Sequence, residues 1–149
     1  MVDVHDAHTR SRNMAAIRGV NTQPEVRLRR ALHTQGFRYR LHHPDLPGRP
    51  DLVFAKYHAV IFVHGCFFHG HECTSFRWPA TNAGFWRSKI EQNRRRDKKQ
   101  ITALTERGWR VLVVWECAVR SALVEPEATV GRVAAWLRGE QSLAEISGA

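Results

Sequence analysis

No part of the 149-residue chain approaches the roughly 20 consecutive apolar residues that a membrane span requires. The amino terminus, Met1-Val2-Asp3-Val4-His5-Asp6, lacks the basic stretch and apolar segment of an export signal. A soluble, cytoplasmic protein with no membrane partner is therefore expected. Acidic residues are scarce, 14 Asp and Glu against 23 Lys and Arg, for a formal net charge of +9. That imbalance favours a polyanionic partner, and nucleic acid is the commonest one. Cysteine is scarce as well, and the count of three is odd. Three thiols cannot all pair with one another, and without an export signal a metal site is the better expectation than a disulfide framework. Internal repeats and low-complexity segments are absent, and the length is that of one domain.

The patterning present is that of an α/β domain. Residues 1–20 are polar and basic, with Met14-Ala15-Ala16-Ile17 enough for a short helix, and read as an arm. Thr22-Gln23-Pro24-Glu25 predicts a helix start, with Thr22 as cap, Pro24 in the first turn and Glu25 completing a capping box. Val26, Leu28, Ala31 and Leu32 give this helix an apolar face, and Gly36 ends it. Residues 37–41 alternate as a half-buried strand does. Asp51-Leu52-Val53-Phe54 and Ala59-Val60-Ile61-Phe62-Val63 read as a hairpin of buried strands. Residues 64–85 are irregular and rich in His, Cys and aromatics. A densely basic helix is predicted from about Trp86 to Arg107, with Ile90, Ile101 and Leu104 as a thin core-facing stripe and Gly108 as its stop. Residues 109–115 form a further buried strand, 126–138 a closing helix, and 139–149 a flexible tail. The order α-β-β-β-α-β-α implies a mixed sheet flanked by helices in a single α/β domain over residues 1–149.

Two constellations carry chemistry. Cys66, Cys73 and Cys117 with one histidine make a Cys₃His set, which suits a closed, tetrahedral, structural zinc site. Spacing alone leaves His64, His69 and His71 open as the fourth ligand, and three buried cysteines acting as small hydrophobes are the plainer alternative. The second is Gly48-Arg49-Pro50-Asp51, a carboxylate at the start of a buried strand just after a turn. Many nucleases of the restriction-endonuclease fold (PD-(D/E)xK-related) present their magnesium-binding aspartate in this way. Those enzymes follow it with an acid and a lysine one strand later, whereas here the strand end reads Phe62-Val63-His64. Magnesium needs few protein ligands, and a neutral imidazole can position or deprotonate a water, so Asp51 with His64 and His69 can still serve. Glu25 adds a second acid from the first helix, or only caps it.

Phe62-x-His64-Gly65-Cys66-Phe67-x-His69-x-His71-x-Cys73 resembles the very short patch repair endonucleases. The likeness extends over Asp3-Val4-His5-Asp6, Thr9-Arg10-Ser11, Asn13-Met14, Leu46-Pro47-Gly48-Arg49-Pro50-Asp51, Pro79-Ala80-Thr81, Phe85-Trp86, Gly108-Trp109-Arg110-Val111-Leu112 and Val114-Trp115-Glu116-Cys117-Ala118. It implies a restriction-endonuclease-like fold with a structural zinc, and a magnesium-dependent nick on the 5′ side of the T in a T·G mispair made by deamination of 5-methylcytosine. By the resemblance Asp51 ligates magnesium with the backbone carbonyl of Val63. His64 and His69 act at the phosphate and its water, with Glu25 in support. Cys66, His71, Cys73 and Cys117 hold zinc. Phe67, Phe68 and Trp86 wedge into the DNA beside the mispair, where a poorly stacked step opens at low cost. Met14 and Ile17 press the opposite groove, and Lys89 and Asn93 are candidate base-edge readers. Host mismatch-repair proteins are candidate partners, and the implied state is a monomer. Two positions depart from the family pattern. Val63 replaces a threonine, which a backbone ligand tolerates, and Phe68 replaces a tryptophan, which bears on the strictness of mismatch recognition. The rivals are a broader mismatch nuclease, a zinc-clasped DNA-binding module without catalysis, and a zinc hydrolase using the histidines directly.

Overall fold

In the computed structural model, residues 21–74, 76–120 and 126–148 are described. The expected arm with Met14 and Ile17 lies outside them. Helix α1 spans Gln23–Thr34 with Pro24 in its first turn. Thr22 is the extended N-cap residue but makes no side-chain capping bond. The predicted capping box is therefore not formed. Glu25 is fully buried, and its carboxylate turns away to Arg29 and His42. Leu28 and Leu32 are buried one and two turns on. Gly36, at φ +98°, closes the helix, with its N–H donating to the His33 carbonyl and the Phe37 N–H to the Leu32 carbonyl. Only glycine takes this left-handed position without steric cost.

The sheet has five strands in the order β1-β2-β3-β4-β5. These are β1 (Arg40–Leu41), β2 (Leu52–Phe54), β3 (Ala59–His64), β4 (Arg110–Trp115) and β5 (Leu143–Ile146). The first three pair antiparallel and the last two join in parallel, so the sheet is mixed. The β2–β3 hairpin turns through a short 3₁₀ segment, Ala55–Tyr57, and His58 at φ +50°. A long helix, α2 (Ala83–Glu106), links β3 to β4, and α3 (Glu116–Arg120) and α4 (Pro126–Arg138) lead from β4 to β5. Among the described residues no helix is long and apolar enough to cross a membrane.

The continuous apolar runs of β3 and β4 follow from burial on both faces. Ala59, Ile61, Leu112 and Val114 point to a core shared with α1, α3 and α4. Val60, Phe62, Val111, Val113 and Trp115 point to a second core with Leu104 of α2, Cys66 and Cys117. Most of α2 is exposed, and Ile90, Asn93 and Leu104 are its buried residues. Two sequence expectations change. Of residues 37–41 only Arg40 and Leu41 pair, because Phe37 is buried against Phe54 instead. The expected flexible tail contains β5, whose Ile146 is buried beside Val114.

Candidate active site and cysteine–histidine cluster

Antiparallel pairing of β2 with β3 matches Leu52 to Ile61, so Asp51 falls beside the end of β3. The Val63 N–H donates to Asp51 Oδ2 at 2.7 Å. His64 ends β3, opposite Trp115 at the end of β4. Asp51, Val63 and His64 thereby share one end of the central strands. Glu25 joins from α1, with Arg29 Nη1 at 2.5 Å from its Oε2. Burial and the neighbouring Glu25 push the Asp51 carboxyl well above the usual carboxylate range, against the opposing Val63 N–H. Two adjacent buried carboxylates with one guanidinium leave negative charge that a divalent cation would offset, so the donor set fits a hard cation.

The loop after β3 folds back through the His69 N–H to the Gly65 carbonyl and the His71 N–H to the Cys66 carbonyl. It stacks His69 on His64 with ring centroids 3.8 Å apart and planes 1° from parallel. Burial, chiefly, and the facing His69 push His64 down to about 3, so its ring is neutral at pH 7. His69 Nδ1 lies 2.5 Å from Asp97 Oδ2 on α2. A carboxylate accepts there, which places the ring hydrogen on Nδ1 and leaves the Nε2 lone pair for a proton.

The same loop brings Cys66, His71 and Cys73 to Cys117 of α3, with one potential ligand atom of each residue lying within 4.8 Å of the others. His71 Nδ1 is 3.7 Å from Cys117 Sγ, near the roughly 3.5 Å edge of a tetrahedral zinc site. His64 and His69 fall instead in a separate cluster with Asp97. No cysteine among the described residues forms a disulfide. Burial and the neighbouring Cys117 and Cys73 sulfurs push the Cys66 thiol up. The Gly148 N–H donates to Cys117 Sγ at 3.2 Å, and His71 stacks on Trp115 at 4.3 Å. Donor type, spacing and outer-shell support all fit zinc.

Phe67, Phe68 and Trp86 form an edge-to-face cluster, with Phe67 at 5.2 Å from each of the other two. Phe68 is half exposed, and Phe85, which sequence reading did not single out, extends the cluster from Trp86 at 63% exposure. Lys89 is exposed on α2. Asn93 is buried, its Nδ2 donates to the Phe68 carbonyl at 2.8 Å, and its Oδ1 accepts from Arg96. It ties α2 to the aromatic loop.

A family profile described as DNA mismatch endonuclease Vsr matches residues 2–75. The DNA mismatch endonuclease Vsr of Escherichia coli is 48% identical over 147 residues, 98% of this chain and 94% of that protein. The chain belongs to the Vsr family. Two further relatives are named type II nicking enzymes. V.XorIIP of Xanthomonas oryzae is 50% identical over 70% of this chain and 76% of its own length. V.NmeAIP of Neisseria meningitidis is 42% identical over 83% and 89%.

Within this Vsr chain, the sequence reading missed two site groups. Asp97 is the lone acid in Arg94-Arg95-Arg96-Asp97-Lys98-Lys99, and that isolation was its only signal. His42, whose Nε2 is 3.0 Å from Glu25 Oε1, sits in a turn-rich stretch where a histidine carries no periodic or motif signal.

Proposed function

We propose that this chain nicks one strand of duplex DNA on the 5′ side of the T in a T·G mispair arising from 5-methylcytosine deamination, initiating very short patch repair. The observation that carries the reading is the loop from His64 to His71. It holds the two stacked histidines, the Phe67–Phe68 pair and part of the cysteine–histidine cluster in eight consecutive positions. Reacting groups and a base-stacking wedge are thus one structural unit. The near full-length likeness to an enzyme named for mismatch cleavage supports the same reading.

In this reading the fold is restriction-endonuclease-like. Asp51 and the Val63 carbonyl would hold magnesium, which supplies Lewis acidity that offsets charge growing on the scissile phosphate. His69 takes a proton from the attacking water at Nε2, and Asp97 stabilises the imidazolium that forms. Neutral His64 keeps His69 in plane and donates its ring N–H to a phosphate oxygen without adding charge. Cys66, His71, Cys73 and Cys117 would hold zinc and so fix the loop that carries His69. Phe67, Phe68 and Trp86 stack on the bases parted at the mispair, and the basic face of α2 meets phosphates. Host mismatch-repair proteins are proposed partners of a monomeric enzyme.

Strand-specific cleavage of end-labelled duplexes, matched and with each mispair, with magnesium or EDTA, tests this. A single magnesium-dependent nick 5′ to the T of T·G is expected. Equal nicking at several mispairs would favour a broader mismatch nuclease, traced to Phe68, and binding without cleavage would favour a binding module.

A further inference from the structure

His42 has no part in that mechanism, yet it is held as firmly as the residues that do. Its N–H donates to the Asp51 carbonyl at 3.1 Å, carrying the β1–β2 pairing one residue further. Its backbone then enters the left-handed region at φ +47°, uncommon for a residue with a side chain. The ring lands beside the carboxylates, with Nε2 at 3.0 and 3.1 Å from the two Glu25 oxygens and 4.0 Å from Asp51 Oδ1. Asp51 Oδ2 is taken by the Val63 N–H, which leaves Oδ1 for the cluster. One potential donor atom from each of Glu25, His42 and Asp51 lies within 4.8 Å of the others. The His42 side chain is 21% exposed against 1% for Glu25, so the ring is the more open member of the pair.

We propose that His42 is a nitrogen ligand that raises the affinity of the Glu25–Asp51 cation site for first-row transition cations, manganese(II) among them, over its affinity for magnesium. The inference rests on the cation-site reading above. Magnesium favours oxygen donors and retains its waters, whereas imidazole is a borderline donor that strengthens binding of transition cations. To hold a cation His42 would carry its ring hydrogen on Nδ1 and offer Nε2 as the donor atom, with Glu25 still paired to Arg29. A pure oxygen pocket would need no such residue at its mouth.

Manganese(II) is the suitable probe because it has little affinity for the thiolate cluster. Zinc-loaded full-length protein is titrated with manganese(II) by the paramagnetic resonance of the free ion, then back-titrated with magnesium. In His42→Gln, which keeps an oxygen donor of similar reach, manganese affinity should fall about tenfold or more while magnesium affinity changes little. Independently of any variant, the electron spin echo of bound manganese should show imidazole nitrogen coupling in the native chain, lost in His42→Gln. An unchanged manganese-to-magnesium ratio in His42→Gln, no nitrogen coupling, or no manganese binding by the native chain would each overturn the proposal. Asp51→Asn separates the two levels. If it loses manganese while His42→Gln does not, only the His42 role fails. If it keeps manganese, the cation site beneath the proposed mechanism fails with it.

Discussion

Asp97 sits on a turn of α2 otherwise occupied by arginine and lysine, and its carboxylate lies 2.5 Å from the Nδ1 of His69. That contact decides which nitrogen of His69 is free, so the carboxylate sets both tautomer and ring direction. Asp97→Asn keeps the shape but can present its amide N–H to Nδ1, which favours the wrong tautomer. The single-turnover nicking rate should fall roughly 100-fold, within the range for loss of an oriented general base. Binding to T·G duplex, read by fluorescence anisotropy, should change little. A rate unaffected by the change would remove Asp97 from the proton path. Cys117 tests the other cluster at the same scale. Cys117→Ser removes a buried sulfur that meets His71 and the Gly148 N–H. Zinc content by metal analysis should drop well below one per chain, and the thermal midpoint by roughly ten degrees. Full zinc occupancy in that variant would break the ligand assignment.

Elements show why part of the architecture was legible from sequence. The two apolar runs in β2 and β3 and the run in β4 are buried on both faces, so burial wrote them as continuous hydrophobic segments. The ends of α1 and α2 were legible because both terminate on a left-handed glycine, Gly36 and Gly108, with the following N–H donating back to Leu32 and Leu104 respectively. β5 was not legible. Leu143-Ala144-Glu145-Ile146 is a short edge strand whose one fully buried residue is Ile146, a pattern indistinguishable from a polar tail. Glu25 was read partly as a cap because the spacing from Thr22 suits one. The structure spends its carboxylate on Arg29 and His42, which only tertiary proximity could reveal. The cysteine and histidine set was gathered as its residue types suggested, while the bond from Asn93 to the Phe68 carbonyl had no signal in the sequence. Gly36 gives a prediction at this scale. A Cβ there meets nothing within 4 Å, so Gly36→Ala carries only the conformational cost of a positive φ. Denaturant unfolding should show a loss of about 1 kcal/mol with an unchanged slope. No loss would mean that the helix end relaxes to another conformation.

The whole molecule joins its two cores through the last strand. β5 closes the open edge of β4 and buries Ile146 in the core shared with α1, α3 and α4, and just beyond it the Gly148 N–H donates to Cys117 of the other core. Glu145 accepts from Trp115 Nε1 at 3.2 Å, and Trp115 in turn stacks with His71 and lies edge-on to His64. The strand therefore backs the cysteine cluster and the end of β3 together. A chain ending after residue 142 should lose about 2–4 kcal/mol of stability from the exposed apolar edge and the forfeited pairing. It should also release zinc to a chelator faster than the full chain, because an outer-shell donor to Cys117 is gone. Ile146→Ala separates the contributions, since it removes buried area while leaving the backbone of β5 in place. If the truncated chain unfolds at the same denaturant midpoint as the full chain and holds zinc as long, residues 143–148 are the tail that their composition suggests. If it loses stability but Ile146→Ala does not accelerate zinc release, the pairing and the Gly148 N–H tie the sheet edge to the metal cluster. The site would then depend on the far end of the chain.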